Sequence, residues 1–307
     1  MEAILELARR NGGLLTRKQI KAEGILVGKL ERLARVGAVA RVARGVYAVA
    51  GAVVAHEPWA VTRAHNVVLS RLSAAAWWGI DMPIRVVLMQ VTAPRNRGRR
   101  KDAMPGIDLR RAALRHHHIT THRGVRITTP LRTALDIARH EPLEIAVPIV
   151  DAFFRARLLS FYEWQQATAL AGGPGRLRIQ TVASLVDPQS GSILESLVRV
   201  LLWRHGFLPT ESQYQLEHAP TGWRGRLDFA WPELRVALEC DGYEFHTDRA
   251  AFQGDRRRWS TLSRMHWTVG VVTWFDVTSD PCYVVELVAD LLGRPAPTMA
   301  SAHKRGA

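Results

Sequence analysis

The chain has 307 residues, 47% hydrophobic and 23% charged, a balance that excludes a fibre or a disordered polymer and suits two or three globular domains. With 42 Lys and Arg against 28 Asp and Glu, the formal charge of +14 favours a polyanion, nucleic acid first, as partner. No apolar run approaches the ~18 residues of a membrane span, and the opening residues carry Glu2 and Glu6 instead of a basic flank with an apolar leader, so a cytoplasmic protein with no membrane partner is expected. Cys240 and Cys282 lack the spacing of a structural zinc site.

Ile4, Leu5, Leu7 and Ala8 form a short apolar stripe that stops at Asn11, Gly12 and Gly13. Thr16 and Gln19 have the spacing of a capping box, which predicts a second short helix, broken at Gly24. Leu26, Leu30 and Leu33 then mark the buried side of a third helix, with Lys29, Arg32 and Arg35 on another side. Residues 39–49 alternate around Arg44 and Gly45 as a hairpin does, with Arg41 and Arg44 near its tip. Three helices followed by a basic hairpin describe a winged helix-turn-helix, in which one helix enters the major groove of double-stranded DNA and the wing meets the backbone. The same basic side chains also suit a solvated helix face. The run GGLLTRKQIKAEGILVGKLERLARVGAVARVARGVYAV resembles the N-terminal domain of AbiEi-type antitoxins, the repressor-antitoxins of type IV toxin–antitoxin systems. That resemblance implies binding to promoter DNA and a cognate nucleotidyltransferase toxin as partner.

In the middle of the chain, residues 73–79 read as a small-faced helix ending at Gly79, and residues 86–91 as a β-branched strand. A basic loop follows at residues 94–101, suited to solvent or to phosphate contact. His116, His117, His118 and His122 are read as a surface cluster rather than a metal site, since adjacent histidines need a scaffold to converge on one ion. Thr129 and Pro130 open another helix. Its run TTPLRTALDIAR is similar to the second half of the AbiEi-like proteins, and Asp136 and Asp151 are read as structural. The glycine-rich residues 171–178 suggest a linker, with a domain boundary near residue 187.

Beyond it, Ser192 and Glu195 open an amphipathic helix closed at Gly206. Residues 226–231 and 236–242 read as two strands joined by the turn at residues 232–235. Pairing Trp231 with Val236 sets Asp228 opposite Glu239, with Leu227, Phe229 and Trp231 facing the other way. Like charges placed so need a compensating cation. Magnesium suits two carboxylates, with the backbone carbonyl of Cys240 as a further oxygen, and a salt bridge to one of the arginines is the rival reading. Asp228 followed by Glu239 and Asp241 resembles the PD-(D/E)xK nuclease superfamily, and RLDFAWPELRVALECDGYEFHTDRAAFQGDRRRWSTL its very-short-patch-repair branch. The resemblance implies that Asp228 binds magnesium, that Glu195 supports the site and that His246 takes part in activation. Glu195 also fits a capping box begun at Ser192, and His246 a packing role. Arg256 and Arg257 lie on a helix with Phe252, Trp259 and Leu262 inward, either on DNA or in solvent. Asp241 stands where the superfamily has lysine, Val271 where an arginine is common and His266 where a glycine is.

The expected architecture is thus α/β (α+β): a winged helix-turn-helix at residues 1–52, an AbiEi-like α/β domain at 53–186, a restriction-endonuclease-like mixed sheet flanked by helices at 187–296, and a basic tail at 297–307. Two functions are expected of it, a magnesium-dependent DNA endonuclease or an inactive antitoxin that represses its own transcription.

Overall fold

The computed structural model describes residues 2–10, 14–43, 46–49, 58, 61–62, 66–94, 106–242 and 249–295. Arg44, the loop at 95–101, His246 and the tail at 297–307 fall outside them, as do the side chains of Arg41 and Phe252. The chain divides into two compact units, Met1–Gly79 with Arg85–Asp136, and Ile80–Ile84 with Ile137–Ala307. Mixed α/β architecture runs through both, with sheets flanked by helices. No helix among the described residues is long and apolar enough to cross a membrane.

The first unit begins with α1 (Glu2–Arg10), β1 (Leu14–Thr16), α2 (Arg17–Ala22) and α3 (Val27–Arg35), then the pair β2 (Val39–Ala43) and β3 (Val46–Val49). The predicted capping box is present: the N–H of Gln19 donates to Thr16 Oγ1, and the N–H of Thr16 to Gln19 Oε1. β3 lies between β1 and β2, antiparallel to both. Ile4, Leu15, Ile20, Leu30, Leu33 and Tyr47 close one core beneath these elements.

Leu26 departs from the expected stripe: it is 82% exposed, against 0% for Leu30. It precedes the first turn of α3 with extended backbone (φ −64°, ψ 128°), so the helical period that buries Leu30 and Leu33 does not reach it.

The rest of this unit is a five-stranded sheet in the order β6-β5-β4-β8-β7, built from β4 (Val68–Leu69), β5 (Met89–Pro94), β6 (Ile107–Ala112), β7 (Ile119–His122) and β8 (Val125–Thr128), with α4 (Arg71–Trp78) on it. Gly79 ends α4 in the left-handed region at φ 81°, a conformation that favours glycine. The strand expected over residues 86–91 begins only at Met89, which pairs with Ile107 of β6, with β4 joining at Val91 and Thr92, and Val87 before it is 90% exposed. His122 stacks on Trp78, and His118 Nδ1 accepts from Arg132, which also pairs with Asp136.

α5 (Pro130–His140) passes from the first unit into the second after Asp136, and α6 (Leu143–Arg155), α7 (Phe161–Ala169), α8 (Arg176–Leu185) and α9 (Ile193–His205) follow in the second. The glycine-rich stretch is a turn that α8 enters at Arg176, after Gly175 at φ 79°. Asp151 of α6 is buried and structural, accepting from Arg199 Nη1 at 2.7 Å, from Ser196 Oγ at 2.7 Å and from the N–H of Asp187 at 2.8 Å. Burial raises its pKa while Arg199 opposes the shift.

A four-stranded mixed sheet follows, in the order β12-β11-β10-β9: β9 (Glu211–His218), β10 (Trp223–Trp231), β11 (Val236–Asp241) and β12 (Thr268–Thr273), with β12 parallel to β11. α9 and α12 (Pro281–Leu291) cover one face, around Phe229, Trp231, Val236 and Leu238. α10 (Arg249–Arg264) covers the other, with Leu262 against Leu227, Ala230 and Ala237. The short α11 (Trp274–Ser279) joins β12 to α12.

Candidate nucleic-acid interface and carboxylate cluster

Lys29, Arg32 and Arg35 are all exposed along α3, above a helix side sealed by Leu30 and Leu33. Arg17 Nη2 lies 3.0 Å from Glu31 Oε1, an ion pair between α2 and α3. The basic row stays in solvent, where it can meet phosphates and base edges without desolvating a buried charge. Arg41 stands on β2 opposite Tyr47.

In the second unit the predicted register is present as far as Trp231 opposite Val236 and Phe229 opposite Leu238, and it does not extend to the expected pair of Asp228 with Glu239. The ladder ends there. The next N–H, that of Cys240, donates to Asp228 Oδ2 at 2.9 Å, so a carboxylate takes the place of a strand carbonyl. Leu227 joins Ala230 in the core under α10, instead of lining up with Phe229 and Trp231 as alternation would have it.

Asp228 Oδ1 accepts from Gln213 Nε2 at 3.2 Å, and the same amide donates to Glu195 Oε2 at 2.8 Å. Glu239 Oε1 accepts from Arg258 Nη2 at 2.5 Å, and that guanidinium also donates to the carbonyl of Arg226 at 2.7 Å. Asp228 is therefore tied through Gln213 to α9, and Glu239 to α10, helices that cover opposite faces of the sheet, so the two carboxylates do not meet on one face as expected. Burial pushes the Glu239 carboxyl up to about 7, with Arg258 opposing the shift and Asp228 adding to it. Burial raises Glu195 as well; the N–H of Gly191 opposes this and Asp228 adds to it.

Glu195 forms half of the capping box expected of it. Its N–H donates to Ser192 Oγ as a helix start requires, while its carboxylate folds back to the N–H of Gly191 and reaches Gln213. A Cβ at residue 191 would stand 2.9 Å from Glu195 Oε1, so a larger residue there would make that carboxylate shift. Asp241 is exposed at the end of β11, and Arg256 and Arg257 are exposed on α10. Arg258, one position on, shares the inward side with Leu262, whereas Trp259 is 37% exposed. Cys240 packs against the core under α9, where burial raises its thiol pKa well above the usual value.

Two members of the cluster escaped the sequence reading. Gln213 sits in β9 at φ 51°, across the hairpin from Asp228 by the register that pairs Tyr214 with Leu227 and Ser212 with Phe229. It is 7% exposed, and its Oε1 is buried without a hydrogen-bond partner among the described residues. Its signal would have been the strand partner of Asp228, had β9 been recognised. Arg258 could have been found from its i, i+4 spacing to Leu262.

As arranged, these residues do not fit a magnesium ion. N–H donors engage both oxygens of Asp228 and one oxygen each of Glu195 and Glu239, and Arg258 already supplies positive charge. Among the described residues no three His, Cys, Asp or Glu are placed to hold a metal ion.

Comparison with known proteins bears on the first unit most directly. Over 168 residues, 54% of its length, the chain is 30% identical to the uncharacterized proteins MT2308 and Rv2248 of Mycobacterium tuberculosis, from strains CDC 1551 / Oshkosh and ATCC 25618 / H37Rv. That match spans 62% of each relative. The crystal structure of the RV2827C protein from Mycobacterium tuberculosis overlaps 72% of this chain and 89% of its own, with 14% identity and a TM-score of 0.41. Residues 2–50, which form the helices and hairpin of the N-terminal core, match the family described as the transcriptional regulator, AbiEi antitoxin.

Proposed function

We propose that the protein is a DNA-binding transcriptional regulator of the antitoxin type, acting in the cytoplasm and reading duplex DNA through α3, with the β2–β3 hairpin as its wing. The observation that carries this reading is the match of residues 2–50 to a regulator family over the same segment whose α3 presents Lys29, Arg32 and Arg35 to solvent. A formal charge of +14 supplies the long-range attraction such a protein needs. Arg41, Arg44, Arg256 and Arg257 are assigned to the DNA backbone. A nucleotidyltransferase toxin is the partner this reading implies, and repression of its own promoter the output. The test is nuclease footprinting of the full chain on DNA upstream of its own gene. A bounded protected segment is expected, and uniform cleavage at saturating protein would overturn the proposal.

A second reading rests on a different observation: Gln213 bridges Glu195 and Asp228 in a mixed sheet flanked by helices, with Glu239 on the neighbouring strand. It makes the second unit a PD-(D/E)xK-like endonuclease domain of the very-short-patch-repair kind, with magnesium at Asp228, Glu239 and the carbonyl of Cys240, and with Asp241 and His246 in support. Arg258 would have to leave Glu239 for that site to open. Nicking of plasmid DNA that needs magnesium and is lost in Asp228→Ala would establish it, and intact plasmid with and without magnesium would remove it.

A further inference from the structure

Leu26 is a large aliphatic side chain left 82% exposed at the leading end of α3. Its position makes that costly twice over. The residue that opens a helix usually carries a side-chain oxygen for the free N–H groups of the first turn, and leucine ranks among the poorest choices there. Leu26 makes no such bond, and most of its side chain stays in solvent. A residue that breaks a local rule without gain to the fold points to a constraint from outside it.

Its surroundings say which. Gly28, two positions on, is exposed, with no atom within 4 Å of where a Cβ would stand, so another molecule can approach the backbone closely here. Lys29 and Arg32 are exposed on the next turns of the same helix. An apolar tip beside an open backbone and two cations suits a ligand that is anionic along its backbone and carries apolar groups on an otherwise polar edge. In the major groove of DNA the apolar group on a base edge is the thymine 5-methyl. The first residues of the reading helix are the ones that meet those edges.

We infer that Leu26 is a specificity-determining residue that packs against a thymine methyl in the DNA site, with Lys29 and Arg32 holding the neighbouring polar contacts. This rests on the DNA-reading role proposed above and adds to it a base and a chemical group. The charges place the protein on DNA, and the leucine selects where.

The test uses the full chain and a duplex selected from a randomised pool, then resynthesised with each thymine in turn replaced by deoxyuridine, which removes the methyl and leaves the hydrogen-bonding edge intact. For the wild type, one replacement in the site should weaken binding about fourfold, the equivalent of one methyl-sized group returned to water. Leu26→Ser restores a capping oxygen, so the helix is kept, and this variant should bind the methylated and demethylated duplexes equally. If every replacement affects wild type and Leu26→Ser alike, the assignment of Leu26 is overturned while DNA reading stands. If no duplex is enriched from the pool, DNA reading itself fails, and the inference with it.

Discussion

Replacing Glu239 by glutamine tests the electrostatics of the carboxylate cluster. Burial lifts the Glu239 carboxyl from the ordinary 4.5 to about 7, and its side chain is 15% exposed, so little of the effect is lost to solvent. Because the folded-state pKa lies above the unfolded one, the protonated form is the one that favours folding. Its stabilising contribution is full below about pH 4.5 and is lost as the pH rises through about 7. A displacement of this size corresponds to at most ~3 kcal/mol. Glu239→Gln keeps the shape and an acceptor for Arg258, but has no proton to lose. Urea unfolding at about pH 5 and about pH 8, followed by circular dichroism, should show the wild type losing up to ~3 kcal/mol more stability across that interval than the variant. Parallel losses in the two proteins would refute the burial argument and mean that Arg258 holds Glu239 ionised throughout.

Other outcomes follow from packing. Arg199→Met leaves the Asp151 carboxylate buried without its cation and should cost ~3–5 kcal/mol in urea unfolding, much of it recovered when Asp151→Leu is added. Leu30→Ala opens a cavity in the core beneath α3 and should cost ~2–5 kcal/mol, with DNA binding lost at the temperature where that core melts. Gly191→Ala drives a Cβ to 2.9 Å from Glu195 Oε1 and should cost ~1–3 kcal/mol by thermal denaturation; an unchanged melting temperature would mean that the glutamate has another seat.

What could be read in the sequence was local chemistry. Thr16 with Gln19, Gly79 past the end of its helix, Pro130 at the start of another, and the short turn that sets Trp231 against Val236 are all decided by residues a few positions apart. Where distant partners decide, the reading failed. Val86, Val87 and Leu88 form no strand because pairing begins only at Met89. Leu26 follows the helical period by spacing but stands one residue outside the helix. Asp228 and Glu239 were legible as acids on adjacent strands, but the groups that draw them to different helices were not. Gln213 reaches Asp228 from a strand whose run ESQYQLEH is polar but for Tyr214 and Leu216, and Arg258 reaches Glu239 from a helix whose arginines were read as lying on DNA or in solvent.

The salt dependence of DNA binding tests the central claim most directly. If α3 lies in the groove with Lys29 and Arg32 on phosphates, the logarithm of affinity should fall linearly with the logarithm of salt concentration, and alanine at both positions should flatten that slope by about two. Equal affinity and an equal slope in the wild type and the double variant would contradict the assignment of α3 as the DNA-reading helix.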